Sequence, residues 1–235
     1  MTVPTVVLVH GAFADASSFR GLYDELIVQG VTPIAPPNPL RGLTGGDADY
    51  LRSVIAEIDG PVLLVGHSYG GSVITAAGTA ENVVGLVYIS GFAPDVGENL
   101  TDLQSNFPQP GIIPFIVEHK LPDGSPEFTL SFDGFHESFC ADVDDADAAF
   151  YAHSQRPLAG VALSEAAPAA AWHDHPVWAV LPTADRCIDP GVHRFSYERM
   201  GATITEIEGA SHVVMISHPH EVAEVVMEAV RATTT

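Results

Sequence analysis

Residues 61–71 read PVLLVGHSYGG, and this stretch constrains the chain more than any other. A run of branched aliphatic residues, strand-forming and wholly apolar, leads directly into Gly66-His67-Ser68-Tyr69-Gly70. The following GGSVITAAGTA predicts an amphipathic helix. A G-x-S-x-G pattern alone is a weak signal, but a buried strand before it and a helix after it make it specific. In such a strand–turn–helix the serine backbone is strained, and its neighbours must be small for the turn to close. Oγ then projects at the helix N-terminus, and the Tyr69 N–H points to where an oxyanion would form. Ser68 is therefore the candidate nucleophile.

The rest of the chain alternates in the same way. Short runs rich in Val, Ile and Leu at 5–10, 31–35, 61–65, 83–90, 176–181 and 203–207 predict about six strands. Most are continuously apolar, as suits a parallel sheet covered on both faces. Helical spacing of apolar residues appears at 17–28, 47–58 and 219–232. Strand and helix in turn argue for an α/β fold with a mostly parallel, doubly wound sheet. The alternation breaks between Pro94 and Ala171, where PQPGIIPF, LPDGSPEF and the acidic ADVDDADAAF occur. This predicts a mostly helical cap inserted at 94–171 between core segments 1–93 and 172–235. Asp142, Asp144 and Asp145 are expected at a helix N-terminus. A calcium loop is the alternative, but its glycine and terminal glutamate are missing.

Three further segments carry chemistry. VHGAF follows the first strand, where acyl transfer needs a second oxyanion donor; the Ala12 N–H is the first choice and Phe13 the second. Gly11 permits close backbone approach, and His10 and His67 read as structural, hydrogen-bonded residues. PVWAVLPTADRCIDP ends a strand and supplies an acid to orient a histidine. Asp185 is the leading candidate, with Asp95 and Asp189 as alternatives; Asp189, before Pro190, also suits a helix N-cap. EGASHVVM places His212 in a loop after the last strand, as the general base. His173-Asp174-His175 has the look of a metal corner but lacks a fourth ligand, so surface or cap contacts are expected there. His218 and His220, opening the last helix, are expected to be uncharged and exposed.

Composition narrows the partners. Thirty acidic against nine basic residues give a net charge of −21, which repels nucleic-acid backbones and anionic membranes. The N-terminal MTVPTVVLVHG has no basic region before its apolar run, and no stretch is long enough to span a bilayer. A cytoplasmic protein with reduced thiols is expected, with Cys140 and Cys187 in packing roles.

Taken together, VVLVHGAF, LLVGHSYGG, VYISGFAPD, PTADRCIDP and EGASHVVM resemble the α/β-hydrolases related to plant methylesterases and hydroxynitrile lyases, most of all small bacterial esterase-like members. The resemblance covers nearly the whole core and the cap only loosely. It implies the α/β-hydrolase fold, a helical cap over the serine, a triad of Ser68, Asp185 and His212, and oxyanion donors at Ala12 and Tyr69. The hydroxynitrile lyases carry a threonine where this chain has Gly11, and a lysine near the histidine. Here the one lysine is Lys120, in the cap, so hydrolysis is favoured. The expectation is a serine carboxylic-ester hydrolase working through an acyl-enzyme on a small, largely apolar ester or lactone, with no cofactor and no metal, as monomer or homodimer. Phe13, Tyr69, Phe92, Phe107, Phe115 and Trp172 are either pocket walls or ordinary core. The alternatives are a cofactor-free perhydrolase of haloperoxidase type, and a slow-turnover ligand-binding homologue.

Overall fold

A computed structural model describes residues 2–235. Along the chain, β1 (Thr5–Val9), α1 (Arg20–Val28), α2 (Ala48–Ala56), β2 (Val62–His67), α3 (Tyr69–Ala77) and β3 (Val83–Ile89) come first. Then follow α4 (Leu100–Ser105), β4 (Ile116–Lys120), β5 (Pro126–Leu130), α5 (Phe132–Phe139), α6 (Asp145–His153), β6 (Leu158–Ala159) and α7 (Val161–Ser164). The chain closes with β7 (Val177–Pro182), α8 (Pro190–Arg199), β8 (Thr203–Ile207), α9 (Val214–Ser217) and α10 (Pro219–Thr233).

The main sheet has the order β1-β2-β3-β7-β8, and every neighbouring pair is parallel. β2 and β7 are buried along their whole length, as their unbroken apolar runs require. The strand expected at 31–35 shrinks to one residue. Ile34 donates to Val6 O at 2.9 Å and accepts from Leu8 N–H at 2.8 Å, a single parallel bridge to Val7. Pro33, Pro36, Pro37 and Pro39 lack the N–H a strand needs and prevent its extension. Five full strands therefore stand where about six were expected.

That single bridge still defines the winding. From β1 the chain steps outward to Ile34, then crosses back to pair β2 on the other side of β1. The ends of β1 and β2 diverge at this reversal, the place where open α/β sheets hold ligands. His10–Phe13 leaves β1 there, and Ser68 leaves β2.

β3 and β7 pair directly, so residues between them form an excursion from the sheet. It is less helical than its sequence suggested. β4, β5 and β6 make a second, antiparallel sheet, with Leu121 and Ser125 closing the β4–β5 turn at 2.9 Å and Gly124 at φ 84°. LPDGSPEF thus marks a hairpin turn. The three acids divide. Asp144 N-caps α6 through the Ala146 and Asp147 amides and Asp145 lies in its first turn, while Asp142 accepts from both the amide and the hydroxyl of Ser211.

α8 is tied to the end of β3 by one side chain. Buried Tyr197 Oη accepts from Gly91 N–H at 2.8 Å and donates to Gly91 O at 3.0 Å. Tyr197→Phe strands that amide without a partner. The unfolding free energy measured by urea titration is expected to fall by about 1–3 kcal/mol.

Candidate active site

Ser68 sits between β2 and α3 with φ 53° and ψ −124°. A non-glycine residue there is strained, and persists only where its surroundings over-determine it. They do so here. Ser68 N–H donates to Ile89 O at 3.1 Å, and Ser68 O accepts from Gly71 N–H at 2.9 Å and Phe92 N–H at 3.1 Å. The turn closes because Gly66 has no side chain, where a Cβ would lie 2.6 Å from Gly70 O, and Gly70 lets it pack on β1, where a Cβ would lie 2.2 Å from Val9 O. Gly11 faces the serine in the same way, where a Cβ would lie 2.5 Å from Ser68 Cβ.

The amides around Ser68 are sorted. Phe13 N–H, at a residue with φ 59°, is taken by Arg156 O at 3.3 Å. Ala12 N–H and Tyr69 N–H meet no acceptor among the described residues. Tyr69 is anchored at its far end, where Oη donates to buried Asp47 Oδ2 at 2.7 Å. Burial raises the Asp47 pKa against the donors Arg41 N–H, Tyr69 Oη and Gly42 N–H. His10 donates from Nδ1 to Gly11 O at 3.0 Å and accepts Asn38 N–H on Nε2 at 2.9 Å, which pins the oxyanion-side loop. His10 and His67 are thus both structural, as read from the sequence: His67 Nε2 donates to His212 O at 3.1 Å.

Asp185 and His212 meet in a fully enclosed network. His212 Nδ1 donates to Asp185 Oδ2 at 2.7 Å. Asp185 Oδ1 accepts from Cys187 N–H at 2.7 Å and Ile188 N–H at 2.9 Å. His193 Nε2 donates to the same Oδ2 at 3.0 Å. Sequence reasoning missed His193, which is eight residues beyond Asp185 and carries no motif of its own. Burial works to raise the Asp185 pKa, but the two imidazoles reverse it and hold it well below the usual carboxylate range. Burial likewise opposes the His212 cation, yet the Asp185 charge outweighs it and raises the imidazole pKa. Burial keeps the neighbouring Cys187 thiol above its ordinary pKa, so near neutral pH Asp185 is the charge that acts on His212. His212 Nε2 is buried and unpartnered, and no hydrogen bond joins it to Ser68 Oγ. Such bonds are commonly long in ligand-free sites and tighten around substrate.

The rival acids are placed elsewhere. Asp189 caps α8 through Gly191 N–H at 2.8 Å, and Asp95 binds His173 at 2.9 Å on the surface. The metal corner is not assembled, because His175 turns to Gly78 O at 3.0 Å. Asp185, His193 and His212 are the one cluster among the described residues spaced for a cation, but the three atoms that converge there, Asp185 Oδ2, His193 Nε2 and His212 Nδ1, are already joined by hydrogen bonds.

Ser68, Ala12 and Tyr69 border a cavity of about 400 Å³. Phe13, Phe92 and Phe107 line it as expected, and Trp172 and Phe115 do not. Trp172 donates from Nε1 to Pro94 O at 3.1 Å beneath the Arg199 guanidinium, while Phe115 packs on Gly134. From the excursion, Leu100, Ile112, Ile116, Leu158 and Leu163 supply apolar wall and Thr101, Gln104, Ser105 and Gln109 uncharged polar groups, with Cys187 and Ile188 from the loop after β7. No lining residue is charged.

Residues 6–225 match the model of the alpha/beta hydrolase family. A carbendazim-hydrolysing esterase of a Nocardioides species is 34% identical over 110 residues, 41% of this chain and 46% of that protein. A pyrethroid hydrolase of Sphingobium wenxiniae is 30% identical over 104 residues, 38% of this chain and 36% of that protein. The matched stretch thus spans less than half of either curated relative. The crystal structure of polyneuridine aldehyde esterase superimposes with a TM-score of 0.82 at 20% identity, covering 97% of this chain and 99% of that one, a likeness of fold.

Gly11→Ala places a methyl inside contact distance of Ser68 Cβ and His67 O. Displacing Ser68 is expected to lower any turnover that depends on its Oγ by up to ~100-fold. Circular dichroism on the same variant separates this from loss of fold.

Proposed function

Because the chain belongs to the alpha/beta hydrolase family, we propose that it is a serine carboxylesterase acting on neutral, largely apolar esters, with Ser68 as nucleophile, His212 as base and Asp185 as orienting acid. The observation that carries this reading is His212, fixed on Asp185 at Nδ1 and free at Nε2, in a chain whose strained serine borders an uncharged cavity.

In the first step His212 Nε2 takes the Ser68 proton as Oγ attacks the ester carbonyl. The Ala12 and Tyr69 amides receive the oxyanion; each such donor is worth ~3 kcal/mol. Asp185 holds the tautomer and stabilises the imidazolium, which protonates the leaving alcohol. Water, activated by His212, then releases the acid and restores the serine. The relatives named for carbendazim and pyrethroid hydrolysis support ester cleavage as the reaction.

The cavity falls within the ~300–1,000 Å³ of pockets that enclose drug-sized ligands. The aromatic rings of Phe13, Phe92 and Phe107 favour an aryl or branched alkyl group over a short acyl chain alone. No helix among the described residues is long and apolar enough to cross a membrane. We place the protein in the cytoplasm, where its two unbridged thiols stay reduced.

Hydrolysis of a p-nitrophenyl ester series by wild type and Ser68→Ala tests the assignment. Turnover is expected to peak at intermediate chain length and to drop by at least ~1,000-fold in the variant. Equal rates in both proteins overturn it. The pH profile gives a second check. Since Asp185 raises the His212 pKa, kcat/KM is expected to climb through an apparent pKa above the ordinary imidazole value. Asp185→Asn removes that support, so the limb moves to lower pH while kcat falls by roughly 1,000-fold or more.

A further inference from the structure

His193 lies outside the proposed relay yet shares its acid. It sits in the first turns of α8 with its side chain fully enclosed. Its Nε2 donates at 3.0 Å to Asp185 Oδ2, the oxygen that also takes His212 Nδ1–H at 2.7 Å. Its Nδ1 is buried and has no partner among the described residues. One ring face lies on Tyr197, with centroids 5.6 Å apart at 23°, and Tyr197 is itself held by both polar atoms of Gly91. Packing does not explain such a residue. A leucine or phenylalanine fills similar space without burying an unpaired nitrogen, which is costly. What the imidazole supplies is one N–H aimed at a carboxylate oxygen already in use.

We propose that His193 is a positioning residue that sets the basicity of His212 by sharing Asp185 Oδ2 with it. This rests on the reading of His212 as the base. Two donors on one oxygen divide its charge between them. With Oδ1 held by the Cys187 and Ile188 amides, His193 fixes the second oxygen against rotation and draws part of its charge away from His212. Without His193 the imidazolium of His212 is over-stabilised, the base stays protonated to higher pH, and the carboxylate loses one constraint. The other titratable groups facing the network are Cys187 of the acid loop, His67 of β2 and Tyr197 of α8. Burial raises the pKa of Cys187 and Tyr197 and lowers that of His67, so none carries charge near neutral pH.

The test uses the whole protein with three variants. His193→Gln places an amide N–H near the position of Nε2, His193→Phe removes the donor while keeping a ring, and His193→Asn carries an amide that falls short of Oδ2. His212 is titrated by ¹⁵N NMR in each, and the pH profile of p-nitrophenyl ester hydrolysis is recorded beside it. In His193→Phe the His212 midpoint is expected to rise by about half a pH unit. The acidic limb of kcat/KM should move with it, and kcat should fall roughly 10-fold with KM within about twofold. His193→Gln is expected to restore midpoint and kcat. His193→Asn should behave as His193→Phe, which keeps the question answerable if the larger ring disturbs folding. A His212 midpoint unchanged in both donor-free variants overturns the proposal, as does a glutamine variant indistinguishable from phenylalanine. The same titration in a Ser68→Ala background separates the two readings: unchanged ester turnover there sinks the nucleophile assignment, while the His212 midpoint still decides the role of His193.

Discussion

The Asp185 carboxylate is the charge the rest of the site is built around. Its side chain is fully buried, and an ionised carboxylate out of water is tolerated only when donors replace its hydration. Four do so: the Cys187 and Ile188 amides, His193 and His212. They come from the loop after β7, the start of α8 and the loop after β8. Satisfying one charge therefore brings together three segments that the sheet alone leaves adjacent but unfixed. Neighbouring contacts brace the same assembly. His67 holds the His212 carbonyl, Tyr197 locks α8 to the end of β3, and Asp142 reaches from the excursion to clamp Ser211, the residue before the histidine. The excursion that walls the cavity thus also fixes the loop that carries His212.

Parallel winding explains why these loops meet at one edge. Every strand of the main sheet points the same way, so every functional loop leaves from the same side. The reversal between Ile34, β1 and β2 opens the crevice in which Gly11 lies against Ser68 and Ala12 borders the same cavity. The strain at Ser68 is held by hydrogen bonds to β3 and its exit loop, from residues with no chemical role. Removing any of those bonds relaxes the serine as surely as altering a side chain within the site.

What was legible in the sequence, and what was not, follows from the range of the forces involved. The Ser68 turn, the strand runs and the principal helices are written in local pattern: apolar continuity, spacing and small residues. That Asp185 and His212 meet was legible by position, because loops leaving the same ends of neighbouring parallel strands lie close together. His193 was not, since its role depends on the trajectory of α8 after a proline and on a carboxylate eight residues away. Trp172 suits a pocket wall or the core alike on sequence, and its long-range contacts decide: the indole N–H meets the Pro94 carbonyl and Arg199 lies over the ring. The excursion reads as mostly helical because of its acidic and alanine-rich runs, and IVEHK carries no apolar alternation that would mark it as a strand. The run at 31–35 was strongly apolar, yet backbone hydrogen bonding, which proline cannot supply, decided its fate.

Under the proposed esterase reading, the charge of −21 and the uncharged cavity act together. A neutral ester crosses the negative field around the molecule without net work and loses water to aliphatic and aromatic walls. Hydrolysis converts it into an alcohol and a carboxylate. The carboxylate is now an anion in an apolar pocket, beside a buried Asp185 and within a field of its own sign. Desolvation and repulsion both favour its departure. The groups that recognise substrate need no charge, and the charge that the protein carries discriminates between what enters and what leaves. On the same proposed reading, an ester that is already anionic meets the product's barrier on the way in, so the field that clears the site would also narrow the substrates.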